Sequence, residues 1–182
     1  LDHIESLITS KTKLLIINSP SNPTGSVMSK KEVEGICHIC EKHDLYLLSD
    51  EVYSKLLYDT EFISPCFYES MRKRTIIQSG FSKTFSMPGW RLGYIVGPSN
   101  LIRKIALLFE TTFSCLPSFI QHAGISALNT DQRLINERVN TLKNRRNILS
   151  EGLNELPGIK CNPSNGSIYL FPDIRDTGMS SD

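Results

Sequence analysis

Two short apolar runs, at 14–18 and 45–49, lie on either side of an amphipathic stretch of the chain. Ser29 and Glu32 have the spacing of a capping box, which predicts a helix from there to about His43. A helix that connects two buried strands forms a βαβ unit, whose two strands are parallel. This feature therefore predicts an α/β fold with a mostly parallel sheet and helices packed on it.

Four further segments have the composition of strands. Residues 75–78 and 92–96 follow the βαβ unit, and the connection between them contains no long helix. A short connection suits antiparallel neighbours, so we expect the 92–96 strand to run against the others. Residues 159–161 and 167–171 predict two more strands near the carboxyl end.

Three helices are predicted in the second half of the chain. Ser99 is the predicted N-cap of an amphipathic helix, and Pro117 opens a second helix that reaches about Asn129. Asp131 opens a long helix that Pro157 and Gly158 end. Apolar side chains recur along the long helix at helical spacing, which predicts a buried stripe. The stripe consists of Ile135, Val139, Leu142, Leu149, Leu153 and Leu156.

Polar side chains follow three of the predicted strands at the point where each strand ends. Asn22 follows the first strand, Asp50 and Tyr53 follow the second, and a loop with Lys83 and Arg91 follows the third. Ligands bind at the carboxyl ends of parallel strands, so convergence of all three segments predicts a binding site. Taken singly, the Asn-Pro-Thr-Gly run is also good turn chemistry, and Asp50 also suits a helix N-cap.

The loop at 80–91 places a lysine and an arginine among small and hydroxyl residues. The amine of Lys83 can form a Schiff base once it loses its proton, and the planar fork of Arg91 matches a phosphate. Ser82 adds a hydroxyl, and the glycines allow close approach of the backbone. A lysine in such a loop is otherwise most often a solvated surface side chain.

Four segments carry a resemblance to a known family. They are Ser-Pro-Ser-Asn-Pro-Thr-Gly (19–25), Asp-Glu-Val-Tyr (50–53), Gly-Phe-Ser-Lys-Thr-Phe-Ser-Met-Pro-Gly-Trp-Arg-Leu-Gly-Tyr (80–94) and Ser-Asn-Gly-Ser-Ile-Tyr-Leu-Phe-Pro (164–172). In order and spacing the chain resembles a class I/II aminotransferase, a pyridoxal-phosphate-dependent enzyme of fold type I, close to the bacterial aspartate-aminotransferase-like branch. The resemblance spans nearly the whole chain, and the 80–94 segment is its most specific part.

The resemblance implies catalytic roles for three residues. Lys83 would bind the cofactor pyridoxal 5'-phosphate covalently and then act as general acid and base. Asp50 would pair with the pyridinium nitrogen and keep it protonated, so that the ring accepts electrons. Tyr53 would donate a hydrogen bond to the phenolic oxygen of the ring, which lowers the proton affinity of the Schiff base.

The resemblance also implies three further cofactor-binding residues. Asn22 would donate to the same phenolic oxygen as Tyr53, and we expect the Asn22–Pro23 peptide bond to be cis as in the family. Arg91 and Ser82 would bind the phosphate. The family often has a serine three residues before the lysine, where this chain has Gly80.

The resemblance implies two domains and an incomplete chain. Residues 1–129 would be part of the large cofactor-binding domain, and residues 130–182 the connecting helix and the beginning of a small α+β domain. The chain has about half the usual length for the family and does not begin with methionine, so we expect a partial chain. We expect it to form a homodimer or to associate with the missing N-terminal half.

Charge and cysteine content narrow the possible partners and the compartment. The net charge of +1 argues against a nucleic-acid or membrane-surface partner, and no apolar run approaches the ~20 residues that span a bilayer. The five cysteines, irregularly spaced, fit free thiols in a reducing compartment, and without a signal peptide we expect a cytoplasmic protein. The run from Cys37 to Cys40 offers zinc ligand types, but no second pair matches it, so we expect buried thiols and no metal.

The function that follows is transfer of an amino group between an amino acid and a 2-oxo acid. Two alternatives stay open from the sequence. One is a pyridoxal-phosphate lyase or synthase of the same fold, which shares the cofactor-binding residues and is separated by product analysis. The other is a non-catalytic remnant that binds a partner, which cofactor titration would reveal. The identity of the amino acid substrate is not encoded in this part of the sequence.

Overall fold

The computed structural model describes residues 1–180; Ser181 and Asp182, the last residues of the predicted second domain, lie outside the described part. Four strands form one sheet in the order β1-β2-β3-β4. The strands are β1 Leu14–Asn18, β2 Tyr46–Asp50, β3 Thr75–Gly80 and β4 Gly93–Val96. The first three are parallel and β4 is antiparallel to β3, so the predicted α/β fold and strand directions are confirmed.

Within residues 1–180, five α-helices accompany the sheet. They are α1 Asp2–Ser6, α2 Lys30–Lys42, α3 Ser99–Phe113, α4 Ser118–Leu128 and α5 Gln132–Asn154. The predicted capping box opens α2, because the Ser29 hydroxyl accepts from the Glu32 N–H while the Glu32 carboxylate accepts from the Ser29 N–H. Asp131 caps α5 as predicted, by accepting from the Arg133 N–H. No helix within residues 1–180 has the length and apolar character needed to cross a membrane.

The main core lies between α2 and one face of the sheet. Leu47 of β2 is fully buried there, and the thiols of Cys37 and Cys40 pack against it as part of the helix stripe. These thiols therefore have the buried, apolar role expected from the sequence. Burial raises the pKa of Cys37 to about 12 and that of Cys40 to about 11, so both remain protonated. On the opposite face of the sheet, the side chain of Ile16 in β1 is 63% exposed.

Three predictions of local structure are wrong. Ser99 is the first residue of α3 rather than its cap, because Pro98 occupies the N-cap position and no side chain caps the helix. Residues 159–161 and 167–171 are not strands. Residues 159–161 meet a partner only at the single bridge of Lys160 with Asp173, and one bridge does not make a ladder. Residues 167–171 contain no bridge, since the nearest one joins Leu57 to Gly166.

The stripe predicted along α5 is buried at only one of its six positions. Ile135 is buried, whereas Leu149 and Leu156 are half or more exposed. The remaining three positions are intermediate. The periodicity is real, but the residue that is buried in the carboxyl half of this helix is Ser150, which donates to the Cys161 carbonyl, and not one of the apolar stripe.

Candidate active site

The carboxyl ends of β1 and β2 bring the first polar residues together. Asn18 and Asp50 are register partners, and Asp50 is in turn paired with Gln78 of β3. The side-chain amide of Asn18 donates to the Asp50 carbonyl at 3.4 Å. The edge where a ligand is expected in a parallel sheet is thus lined by amide and carboxylate groups.

Asn22 lies in a tight loop directly beyond β1. Its backbone N–H donates to Asn18 Oδ1 at 2.7 Å, and the Asn22–Pro23 peptide bond is cis as expected. Gly25 closes the loop with a φ of +68°, which is favourable only for glycine. A Cβ on Gly25 would lie 2.4 Å from Ser164 Cβ, so this glycine also allows the carboxyl-terminal segment to approach closely.

Asp50 and Tyr53 lie on one short turn after β2. Asp50 is half-buried, and its Oδ1 accepts from the Val52 N–H at 3.2 Å, which fixes the turn. Tyr53 is buried with 3% of its surface exposed, and its hydroxyl lies 2.8 Å from the hydroxyl of Tyr169. Burial, and then the hydrogen bond with Tyr169, raises the pKa of Tyr53 above its ordinary value, so the phenol keeps its proton.

Lys83 points toward this turn from the loop after β3. Its Nζ lies 5.6 Å from the centre of the Tyr53 ring, a distance within the range of a cation–π contact. Lys83 and Ser82 also line a cleft of about 520 Å³ between this loop, α5 and the carboxyl-terminal segment. The other residues that line it are Leu56, Ser86, Pro88, Arg138, Thr141, Leu142, Arg145 and Ile168.

Arg91 lies at the far end of the same loop and outside that cleft. It is exposed, and its guanidinium donates to the Pro88 carbonyl at 2.8 Å. Its backbone adopts the left-handed region, with φ 52° and ψ 40°. Such a conformation costs a non-glycine residue about 1–3 kcal/mol and is concentrated at functional sites. Ser86 in the same loop has a φ of 52° as well.

The structure brings some of the six predicted residues together and leaves others apart. Lys83 and Tyr53 are in contact, and Ser82 shares a cleft with Lys83. Asn22 is linked to the sheet edge through Asn18. Arg91 stays within its own turn, which the loop spacing did not indicate.

Two residues near the site were not predicted. Tyr169 meets Tyr53 across 116 positions of sequence. Its segment, 164–172, is one of those that carry the resemblance, but the contact itself was not predicted. Glu51 is buried, and strand alternation carries a signal for it, because a period of two places Glu51 on the same side as buried Ser49. The Ser49 hydroxyl indeed donates to Glu51 Oε1 at 3.0 Å.

Together, the sheet edge and the lysine loop define an α/β protein with a lysine-centred candidate active site. The family model for aminotransferase class I and II matches residues 1–181. The aspartate aminotransferase of Pyrococcus abyssi is 41% identical over 184 residues, which covers 100% of this chain and 47% of that protein. The aromatic-amino-acid aminotransferase 2 of Thermococcus litoralis is 40% identical, with the same coverage.

Solved structures agree with these sequence comparisons. The crystal structure of the aromatic aminotransferase from Pyrococcus horikoshii superposes with a TM-score of 0.93 at 40% identity, covering 98% of this chain and 48% of that one. The chain belongs to the class I and class II aminotransferases. It spans about half the length of the curated relatives it matches.

Proposed function

We propose that the protein is a pyridoxal-phosphate-dependent aminotransferase, which moves an amino group between an amino acid and a 2-oxo acid. The observation that carries the proposal is the contact between Lys83 and Tyr53. It places a primary amine 5.6 Å from the ring of a buried phenol, beside the strand end that bears Asp50. The family membership and the class of the relatives support the same reaction.

The donor set fits pyridoxal phosphate group by group. A primary amine matches an aldehyde, a carboxylate matches a protonated ring nitrogen, and a phenol with its proton matches an anionic ring oxygen. A hydroxyl and a guanidinium match a phosphate. Pyridoxal phosphate supplies an aldehyde that condenses with an amine with loss of water, and a ring that, when protonated, accepts electrons from the α-carbon of an amino acid.

Each residue has a defined task in this proposal. Lys83 binds the aldehyde and afterwards holds or releases a proton at its Nζ. Asp50 holds the proton on the ring nitrogen, and Tyr53 and Asn22 donate to the ring oxygen. Ser82 lies next to Lys83 and would donate to the phosphate.

Arg91 completes the phosphate site. Its guanidinium carries five N–H donors, and the Pro88 carbonyl accepts from only one of its nitrogens. The rest of the planar fork is available for a phosphate oxygen. The left-handed backbone of Arg91 supports this role, because conformations of this kind are concentrated at functional sites.

The domain organisation that we propose follows from membership of the same family. Residues 1–129 would belong to the large cofactor-binding domain, and residues 130–182 to the connecting helix and the beginning of the small domain. The substrates would be an amino acid and a 2-oxo acid. Apolar side chains exposed along the two edge strands support association, either as a homodimer or with the N-terminal half; they are Leu14 and Ile16 of β1 and Ile95 and Val96 of β4. The free cysteines support a cytoplasmic location.

The experiment follows the amino nitrogen. The complete protein, loaded with pyridoxal phosphate, is mixed with an amino acid labelled with heavy nitrogen and an unlabelled 2-oxo acid. Mass spectrometry should find the label in the new amino acid, and Lys83→Ala should slow transfer by roughly 10²–10⁴-fold. Lys104→Ala, an exposed lysine of α3, is the control that should leave the rate unchanged.

The products also separate the alternatives. Release of labelled ammonium without transfer would contradict the aminotransferase and favour a lyase of the same fold. Failure of the protein to take up pyridoxal phosphate at all would contradict both and favour a remnant that binds a partner.

A further inference from the structure

Tyr53 has a second tyrosine at its hydroxyl. The oxygen atoms of Tyr53 and Tyr169 lie 2.8 Å apart, a normal distance for an O–H···O hydrogen bond. The two rings pack edge to face, with centroids 5.7 Å apart and an angle of 75° between their planes. Both the ring and the hydroxyl of Tyr169 are therefore oriented toward Tyr53.

The backbone around Tyr169 is fixed by the same segment that follows Tyr53. The Ser167 N–H donates to the Leu56 carbonyl at 2.9 Å. The Tyr58 hydroxyl donates to the Ser167 carbonyl at 2.7 Å. A Cβ on Gly166 would lie 2.9 Å from Pro20 Cβ, so the backbone at Gly166 approaches the loop after β1 too closely for any side chain to fit between them. The position of Tyr169 is thus set by contacts two and three residues away from it.

A phenol has one proton to donate and lone pairs to accept with. If the Tyr53 proton is directed to the cofactor oxygen, then the Tyr53 oxygen can only accept a hydrogen bond from another donor. Within residues 1–180, the only hydroxyl at hydrogen-bond distance from it is that of Tyr169. Hydrogen bonds in series polarise one another, so a donor behind Tyr53 strengthens the bond that Tyr53 itself donates.

We propose that Tyr169 is a positioning residue that donates its hydroxyl proton to Tyr53 and so directs the Tyr53 proton to the ring oxygen of the cofactor. The proposal rests on the proposed function, since it assigns a task to the residue behind one cofactor-binding group. It also ties the carboxyl-terminal segment to the cofactor site through a single hydrogen bond across 116 positions of sequence.

The charged and titratable groups around Tyr53 are few. Lys83 lies over its ring, Tyr169 lies at its hydroxyl, and Asp50 begins the same turn. Burial raises the pKa of Tyr53, so it remains a proton donor at neutral pH. A change confined to the Tyr169 hydroxyl therefore acts on the donor strength of Tyr53 and leaves the other two groups in place.

The test measures the pH midpoint at which the visible band of the bound cofactor changes, in the complete protein loaded with pyridoxal phosphate. Weaker donation to the ring oxygen raises the proton affinity of the nitrogen that joins Lys83 to the cofactor. Tyr53→Phe should raise the midpoint by roughly 1–2 units, the effect of losing a hydrogen bond to a charged group. Tyr169→Phe should raise it by roughly 0.1–0.6 unit, a 10–30% share of that bond.

The double variant gives the decisive comparison. If Tyr169 acts through Tyr53, then Tyr169→Phe adds no further shift in the Tyr53→Phe background. Tyr68→Phe is the control, because it removes a tyrosine hydroxyl that donates to Glu34 of α2, away from the segment that holds Tyr169, and it should leave the midpoint unchanged. Thermal unfolding of the cofactor-free variants establishes that all of them are folded.

Two results would overturn the proposal. One is a Tyr169→Phe midpoint equal to that of the wild type, and the other is the same shift in Tyr68→Phe or when Tyr169→Phe is added to the Tyr53→Phe background. If instead the wild type shows no visible band of bound cofactor, or borohydride attaches no cofactor to Lys83, then the proposed function fails and the role of Tyr169 fails with it. A band on Lys83 with an unmoved midpoint overturns the role of Tyr169 alone.

Discussion

Glu51 and Ser64 share a buried hydrogen bond, in which Ser64 Oγ donates to Glu51 Oε1 at 2.6 Å. Ser49 Oγ donates to the same oxygen at 3.0 Å, and Glu51 is only 7% exposed. The donors are hydroxyls rather than cations. Burial raises the pKa of Glu51 above its ordinary value of 4.5, and this effect is larger than that of the hydrogen bonds from Ser64 and Ser49, which lower the pKa.

This carboxyl should make stability depend on pH. Because its pKa is higher in the folded chain than in the unfolded chain, its contribution is fully present below the ordinary pKa and is lost as pH rises through the folded-state pKa. Glu51→Gln removes the ionisation but keeps an acceptor for the serine hydroxyls. Urea unfolding should show the wild type losing stability relative to Glu51→Gln as the pH rises from about 4 to about 8.

The control for this experiment is Glu69→Gln, which changes an exposed glutamate. Its stability profile should run parallel to that of the wild type over the same range. Parallel profiles for Glu51→Gln as well would show that Glu51 ionises in the folded chain as easily as in the unfolded one.

Two serines at helix beginnings should differ in their contribution to stability. The Ser29 hydroxyl accepts from the Glu32 N–H at 3.3 Å and is a true cap, so Ser29→Ala should lower the free energy of unfolding by about 1 kcal/mol. Ser99 has the same residue type at a helix beginning but makes no capping bond, so Ser99→Ala should stay within about 0.5 kcal/mol. Chemical denaturation of both variants compares them, and equal losses would contradict the assignment of the caps.

The negative charge of Asp50, and not its hydrogen bond within the turn, should be what the reaction requires. Asp50→Asn keeps an oxygen that can accept from the Val52 N–H, so the turn should persist and the melting temperature should change little. Without the negative charge the ring nitrogen of the cofactor loses its partner, and proton abstraction in a single turnover should slow by about 10²-fold or more. Rapid-mixing absorbance measurements follow this step, and an undiminished rate would leave Asp50 only a turn residue.

The parts of the fold that sequence predicts well are those with local causes. The capping box at Ser29 and the apolar runs of β1 and β2 are decided within a few residues, and all of them are where the sequence places them. The absence of a long helix before β4 likewise predicts its antiparallel direction.

The parts that sequence predicts poorly depend on distant partners. Residues 167–171 have strand composition, but a strand needs a neighbour along its length, and this segment is held by separate hydrogen bonds at Ser167 and Tyr169. Leu149 has the helical spacing of a core residue, yet burial requires an element opposite it. The contact of Tyr169 with Tyr53 is likewise decided by the folded chain as a whole.

The most direct test of the account is chemical mapping of the residue that binds the cofactor. The complete protein is loaded with pyridoxal phosphate, reduced with borohydride to fix any covalent bond, digested and analysed by mass spectrometry. We expect loss of the visible band on reduction and a pyridoxyl group on Lys83, the amine that lies over Tyr53. A pyridoxyl group on Lys55 or Lys104 in place of Lys83 would contradict it.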